Sequence, residues 1–210
     1  MKKQSPGQGN RKKARGLIFV ISGPSGSGKT TLAERILKDK VLGNSLRKSV
    51  SFTTRPKRSG ERHRQDYFFL TESRFKQQVK AKKILEWTNY LGYYYGTPKS
   101  SVDSQISKGR HLLLCIDLKG AKNLKRLYPK NTVTIFVVPP SLAELRKRIK
   151  NRCSKTAEHE VRRRLERAKK EIPQAARFDY RLKNKDLKKT VRQLKDIILN
   201  RISLLSRTAH

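Results

Sequence analysis

Acid is what this sequence holds least of for its length. Against 52 lysines and arginines stand only 16 aspartates and glutamates, a formal charge of +36. That balance excludes an acidic solvating chain and implies attraction to polyanions through a purely electrostatic term. Nucleic acid and anionic lipid both fit, and so does a basic excess spread over solvated faces without a dedicated partner. Cysteine is nearly missing. Cys115 and Cys153 lie far apart and lack the C-x-x-C or Cys/His spacing of a zinc site, which argues against both a disulfide framework and a structural metal centre. No apolar run approaches the ~18 residues of a membrane span. The short apolar stretch near the start leads directly into a glycine-rich loop, too soon for the core of a signal peptide, and a cytoplasmic protein is expected. Internal repeats are absent as well. Hydrophobic residues still make up 35% of the 210 residues, enough for one ordinary core.

What is present is organised around residues 23–30. Gly23-Pro24-Ser25-Gly26-Ser27-Gly28-Lys29-Thr30 fits the G-x-x-x-x-G-K-[ST] pattern at every fixed position. The glycines let the backbone curl so that successive N–H groups point at anionic oxygens. Lys29 then reaches the β- and γ-phosphates, Thr30 offers a hydroxyl to Mg²⁺, and the following helix presents its positive end. The context agrees: Leu17–Ile21 reads as a buried strand and Thr31–Lys38 as a helix.

Before the loop, residues 1–15 are basic, glycine- and proline-bearing and free of acid, so a disordered arm is expected, with residues 16–210 as one domain. A short transit peptide is an alternative for that arm. After the loop, Ser49–Pro56 reads as a strand stopped by proline, followed by Arg55, Lys57, Arg58, Arg62 and Arg64 crowded in one loop. Such a loop fits a second anionic ligand, because the guanidinium fork matches phosphate oxygens, or a solvated basic loop. Residues 66–70 read as a strand, 72–83 as an amphipathic helix, and 84–88 with 93–98 as a small antiparallel pair turning at 91–92. The aromatics here are compatible with plain core. Residues 101–108 read as a helix, 111–116 as a buried strand ending at Asp117, 121–128 as a helix and 132–138 as a strand. An acid at the carboxyl end of a parallel strand lies where open α/β sheets bind ligands. Ser141-Leu142-Ala143-Glu144 has the form of a capping box opening a helix through Lys150. The arginines from Arg148 to Arg167 bracket a polar stretch at 153–156, consistent with a mobile lid or with a solvated helix pair. A strand over 176–182 and a closing amphipathic helix over 186–205 complete an α/β fold with a mostly parallel sheet flanked by helices.

In order and spacing, these segments resemble guanylate kinase from about residue 17 to residue 205. The carrying stretches are the loop at 23–30, Ser-Val-Ser-Phe-Thr-Thr-Arg-Pro-Lys-Arg-Ser-Gly-Glu at 49–61, Asp66-Tyr67, Glu86-Trp87, Tyr94-Tyr95-Gly96-Thr97 and Ile116-Asp117-Leu118-Lys119-Gly120. The resemblance implies a P-loop core, a GMP-binding region near 50–100 with a small antiparallel sheet, and a helical lid near 150–172. It implies the reaction of MgATP with GMP to give ADP and GDP, in purine nucleotide metabolism. By the same resemblance, Arg55, Arg58, Tyr67 and Tyr95 hold the GMP phosphate, and Ser51, Glu86, Thr97 and Asp117 recognise guanine. The chemistry suits that assignment, since a carboxylate accepts from guanine N1–H and the exocyclic amine, whereas adenine presents an acceptor at N1. Lys29, Arg148, Arg152 and Arg164 supply charge for phosphoryl transfer, with Arg163 competing for the last place because one extra residue lies between. Asn184 resembles a position near the adenine nucleotide. Two departures stand out: the family usually has aspartate where this chain has Cys115, and glutamine where it has Lys119. A buried thiol at 115 would not replace the lost charge.

Two other readings use the same scaffold. A kinase for a ribose phosphate would lack Ser51, Glu86 and Thr97 as a guanine-reading set, and a non-catalytic protein-binding module typically loses the phosphate loop, which is intact here. A third reading is additive: a kinase that also contacts nucleic acid through its basic surface.

Overall fold

The computed structural model describes residues 15–43, 45–90, 92–151 and 157–207. Most of the expected basic arm, with Arg152, Cys153 and the polar stretch after it, lies outside them.

Strand β1 (Ile18–Ser22) is buried along its whole length because it is the middle of a five-stranded parallel sheet. Its neighbours are β7 (His111–Cys115) and β8 (Thr132–Val138), flanked by β2 (Leu46–Lys48) and β9 (Tyr180–Lys183) in the order β2-β7-β1-β8-β9. A strand covered on both faces needs apolar residues at consecutive positions, which is the pattern of Leu17–Ile21. Its side chains separate by parity. Phe19 and Ile21 pack with Leu32 and Ile36 of α1 (Lys29–Leu37) and Leu194 and Ile198 of α7 (Leu187–Arg207). Ile18 and Val20 pack on the other face with Val102 and Ile106 of α3 (Lys99–Ser107) and Ala121 and Leu124 of α4 (Leu118–Leu127).

A second sheet holds β3 (Ser51–Thr53), β4 (Tyr67–Phe69), β5 (Ile84–Tyr90) and β6 (Tyr93–Pro98) in the order β4-β3-β6-β5, with α2 (Glu72–Lys80) between β4 and β5 in the chain. The β5–β6 hairpin is antiparallel as expected and β3 also joins β6 antiparallel, but β4 joins β3 in parallel, so the small sheet is mixed. The long arginine-bearing loop is a crossover that returns the chain in the same direction. The last helical pair, α5 (Leu142–Asn151) and α6 (Glu158–Glu171), shares its own apolar cluster of Leu145, Ile149, Val161 and Ala168.

Several element boundaries differ from the sequence expectation. The strand expected over 49–56 is only Ser51–Thr53, because Thr53 Oγ1 accepts from Arg55 N and turns the chain out of the sheet before Pro56. The edge strand β2 precedes it unannounced. The helix expected from 121 begins at Leu118, since Asp117 caps it, Oδ1 accepting from Gly120 N at 2.8 Å. The strand expected over 176–182 is preceded by a 3₁₀ turn at Ile172–Arg177 and begins at Tyr180. Ser141, as expected, caps α5 by accepting from Glu144 N.

Candidate active site

The loop between β1 and α1 needs its glycines for conformation. Gly23, Gly26 and Gly28 have φ of +138°, +87° and +95°, values that side-chain-bearing residues rarely adopt. At Gly28 space adds a second constraint, since a Cβ would meet Asn184 Nδ2 at 2.3 Å. Asn184 is buried, and its amide donates to Ser27 O at 2.9 Å while its backbone N–H donates to Val138 O. Its side chain therefore braces the loop from the end of β9. Lys29 Nζ donates to Gly23 O and Pro24 O at 2.5 and 2.8 Å. The hydroxyls of Ser22 and Ser27 are buried here with no hydrogen-bond partner among the described residues.

Thr30 is exposed on the first turn of α1. Among the described residues no group of three or more His, Cys, Asp or Glu could hold a metal ion. A lone hydroxyl beside a phosphate-type loop is the donor set of a hard cation that takes most of its ligands from water and phosphate, as Mg²⁺ does. The residues present fit that ion. Cys115, which the sequence reading treats as a buried thiol, is instead reached by solvent, its Sγ 3.8 Å from Lys29 O at the foot of the loop. Desolvation of the sulfur on the protein side, only partly offset by Lys29 and Lys48, pushes the thiol up to about 11. It is uncharged at neutral pH, so it does not reproduce a carboxylate.

Across from the loop, the small sheet gathers a second set. Arg55 extends over the rings of Tyr67 and Phe69, 5.6 and 6.0 Å from their centroids, and its guanidinium donates to Glu61 Oε1 at 2.6 Å. Tyr67 and Tyr95 meet edge to face at 6.0 Å, on β4 and β6. Ser51 opens β3 opposite Tyr67. Glu61 also accepts from Arg58 N, which folds the loop so that Arg55 and Arg58 leave the same turn, the Arg58 side chain exposed.

Glu86 is brought inward by an irregularity of register. Between Ile84, opposite Pro98, and Trp87, opposite Gly96, the β5–β6 pairing shifts at Leu85-Glu86, and bulges of this kind re-aim a side chain. The carboxylate is 5% exposed and accepts from Thr97 Oγ1 at 2.5 Å. Burial, with a contribution from Asp117 and against the Thr97 hydrogen bond, raises it to about 7. Gly120 makes room for it: a Cβ there would sit 2.5 Å from Glu86 Oε2. The same Gly120 N–H engages Asp117 Oδ1, so one residue of α4 brings both carboxylates together. Lys119, the other departure, turns its ammonium over the Trp87 ring at 5.9 Å.

From the third side come arginines. Leu145 and Ile149 of α5 lie against Gly26, which sets the intervening Arg148 beside the loop. Arg148 donates to Glu144 Oε1 and to Asn184 O. On α6, Arg164 is half-buried and donates to Glu160 Oε1 at 2.5 Å, whereas its competitor Arg163 is exposed. Both line a cavity of about 800 Å³ between α6 and the β5–β6 hairpin. Arg152 lies outside the described residues. Two residues of this site, Glu61 and Gly120, received no role from the sequence, and Arg167 was read only as one of the arginines around the lid. Gly120 stood just ahead of the helix expected from 121, where a glycine is unexceptional, and only the structure places it in the first turn of α4. The pairing of Glu61 with Arg55 and of Arg167 with Asp117 had no local signal, whereas the i,i+4 spacing of Arg167 and Glu171 on a helix was readable.

A parallel sheet with a phosphate-type loop after its first strand, facing arginines, tyrosines and a pair of carboxylates, defines a P-loop phosphotransferase. The guanylate kinase family model matches residues 15–201, and the chain belongs to that family. It is 40% identical over 186 residues to the guanylate kinase of Wolbachia pipientis, covering 89% of this chain and 90% of that one. To the guanylate kinase of Thermotoga maritima it is 44% identical over 186 residues, 88% and 86% of the two chains. The crystal structure of guanylate kinase from Anaplasma phagocytophilum superposes with a TM-score of 0.72 at 30% identity, covering 91% of this chain and 88% of that one. Among the described residues no helix is long and apolar enough to cross a membrane.

Proposed function

We propose that the chain transfers the terminal phosphoryl group of MgATP to the phosphate of GMP, giving ADP and GDP. The observation that carries this reading is the buried carboxylate of Glu86 beside the half-buried Asp117. Two acceptors at one place suit the N1–H and exocyclic amine of guanine and leave adenine, with its N1 acceptor, unmatched. Arg55, Arg58, Tyr67 and Tyr95 then hold the acceptor phosphate, with Glu61 orienting Arg55. The donor phosphates lie on the loop N–H groups and the start of α1, with Lys29 as the point charge. Thr30 holds Mg²⁺, which when bound neutralises charge on the donor phosphates. As an acceptor phosphate oxygen bonds to the γ-phosphorus and the bond to the β-phosphate oxygen breaks, Arg148, Arg152 and Arg164 stabilise the charge in flight. Asn184 acts through the loop backbone. A further contact with polyanions such as nucleic acid is supported by the +36 charge.

The test is ADP release from MgATP with GMP, AMP, UMP or no acceptor. A GMP-selective signal that disappears in Lys29→Ala, with the far-UV circular dichroism unchanged, is expected. Equal signals from AMP and GMP would overturn the substrate assignment.

A further inference from the structure

Arg167 stands on the third turn of α6, one turn beyond Arg164, and takes no part in the phosphate chemistry above. Its guanidinium makes three contacts with three different parts of the molecule. One Nη lies 3.7 Å from Asp117 Oδ2, at the start of α4. The plane sits over the Tyr90 ring, 5.5 Å from its centroid, at the end of β5. Nε donates to Glu171 Oε1 at 2.7 Å within α6, and the Glu171 side chain is only 12% exposed. The Glu171 bond fixes the rotamer, so the fork meets Asp117 and Tyr90 already oriented.

The two oxygens of Asp117 are not equivalent. Oδ1 is committed to the Gly120 N–H as the helix cap, and Oδ2 is the one that faces Arg167. A carboxylate oxygen has two lone pairs, so Oδ2 accepts from a base amine while a guanidinium stands on its other side. A cation there also offsets the repulsion between Asp117 and Glu86, so that both can remain acceptors at once.

We propose that Arg167 is a positioning residue for guanine recognition: through Asp117 Oδ2 and the Tyr90 ring it ties α6 to the base-reading carboxylate and to the hairpin. Base binding and the placement of the α6 arginines are thereby coupled. This rests on Asp117 being a guanine contact, as in the function proposed above. The loss of one partly exposed ion pair and one cation–π contact corresponds to about three- to thirtyfold in affinity.

The experiment is steady-state kinetics on the full chain with Arg167→Ala, Arg167→Lys, Asp117→Asn and the double variant Arg167→Ala/Asp117→Asn. Arg167→Ala is expected to raise KM for GMP by about three- to thirtyfold while KM for ATP stays within about twofold. Arg167→Lys, which keeps the charge, recovers part of the loss. The double variant is no worse for GMP than Asp117→Asn alone, because the arginine acts through that carboxylate. Unchanged KM for GMP in Arg167→Ala, with a clear rise in Asp117→Asn, overturns the role of Arg167 and leaves the guanine site standing. An unchanged KM in Asp117→Asn removes Asp117 from the guanine site and the coupling with it. Equal rises in both substrates' KM, or additive losses in the double variant, reduce Arg167 to a general structural contact and overturn the proposal.

Discussion

Glu86 is stabilised in its neutral form by its own surroundings and needed in its charged form by its ligand. Burial raises it from 4.5 to about 7, with Asp117 adding to the effect. A carboxyl with a raised folded-state value contributes stability that is full below about 4.5 and is lost as pH climbs through about 7. The loss amounts to roughly 3 kcal/mol at most. Glu86→Gln lacks this titration, so its Tm relative to wild type is expected to rise between pH 5 and pH 8. Its affinity for GMP falls in the same variant and its preference for GMP over AMP relaxes, because an amide presents one acceptor and one donor to two donors. Thermal melts across pH, paired with GMP binding at pH 8, check both halves. A stability gain with unchanged GMP preference would detach Glu86 from the base.

Among the elements, α6 carries the sharpest choice. Sequence spacing left Arg163 and Arg164 as rivals, and their positions on the helix separate them. Arg164 is half-buried and tied one turn back to Glu160, while Arg163 points into solvent along the cavity rim. A charge that stabilises a phosphoryl group in transfer acts through a restricted, desolvated geometry. Arg164→Ala is therefore expected to lower kcat by about 10²-fold or more, and Arg163→Ala by less than about threefold. Single-turnover rates with saturating GMP distinguish the two, and a reversal would reassign the extra residue between α5 and α6. The β5–β6 hairpin offers the complementary lesson. Its strands and turn were legible from alternating aromatics and Gly92, yet the shift at Leu85-Glu86 that turns Glu86 inward was not, because a bulge arises from pairing with β6 and leaves no local residue pattern.

At the scale of the whole molecule, charge is the dominant property. At least eleven of the 16 carboxylates are within ion-pair distance of a lysine or arginine among the described residues. The few acids are thus largely engaged in ion pairs, several of them at the surface, which leaves a large surplus of cations without an acid to pair with. Binding to an unrelated DNA duplex is expected at low salt and should weaken steeply as salt rises, log K falling linearly with log salt. Fluorescence anisotropy over a salt series measures the slope. A slope near zero would show that the charge is dispersed too evenly to form a phosphate-tracking surface.

Much of this protein follows from local chemistry. A phosphate loop is written in a contiguous octapeptide because its function lies in backbone torsions that glycine alone supplies cheaply. A buried parallel strand is written in consecutive apolar residues, since both its faces are covered. The order of strand and helix then limits the architecture to a helix-flanked parallel sheet. Other features were decided only by the folded chain. Gly120 meets Glu86, Asn184 meets the loop, and Arg167 meets Asp117 across sequence separations of tens to more than a hundred residues. The solvent access of Cys115 and the parallel pairing of β4 with β3 likewise depend on what lies opposite them. Proximity between distant residues is a property of the packed core, and no local pattern of residue types encodes it.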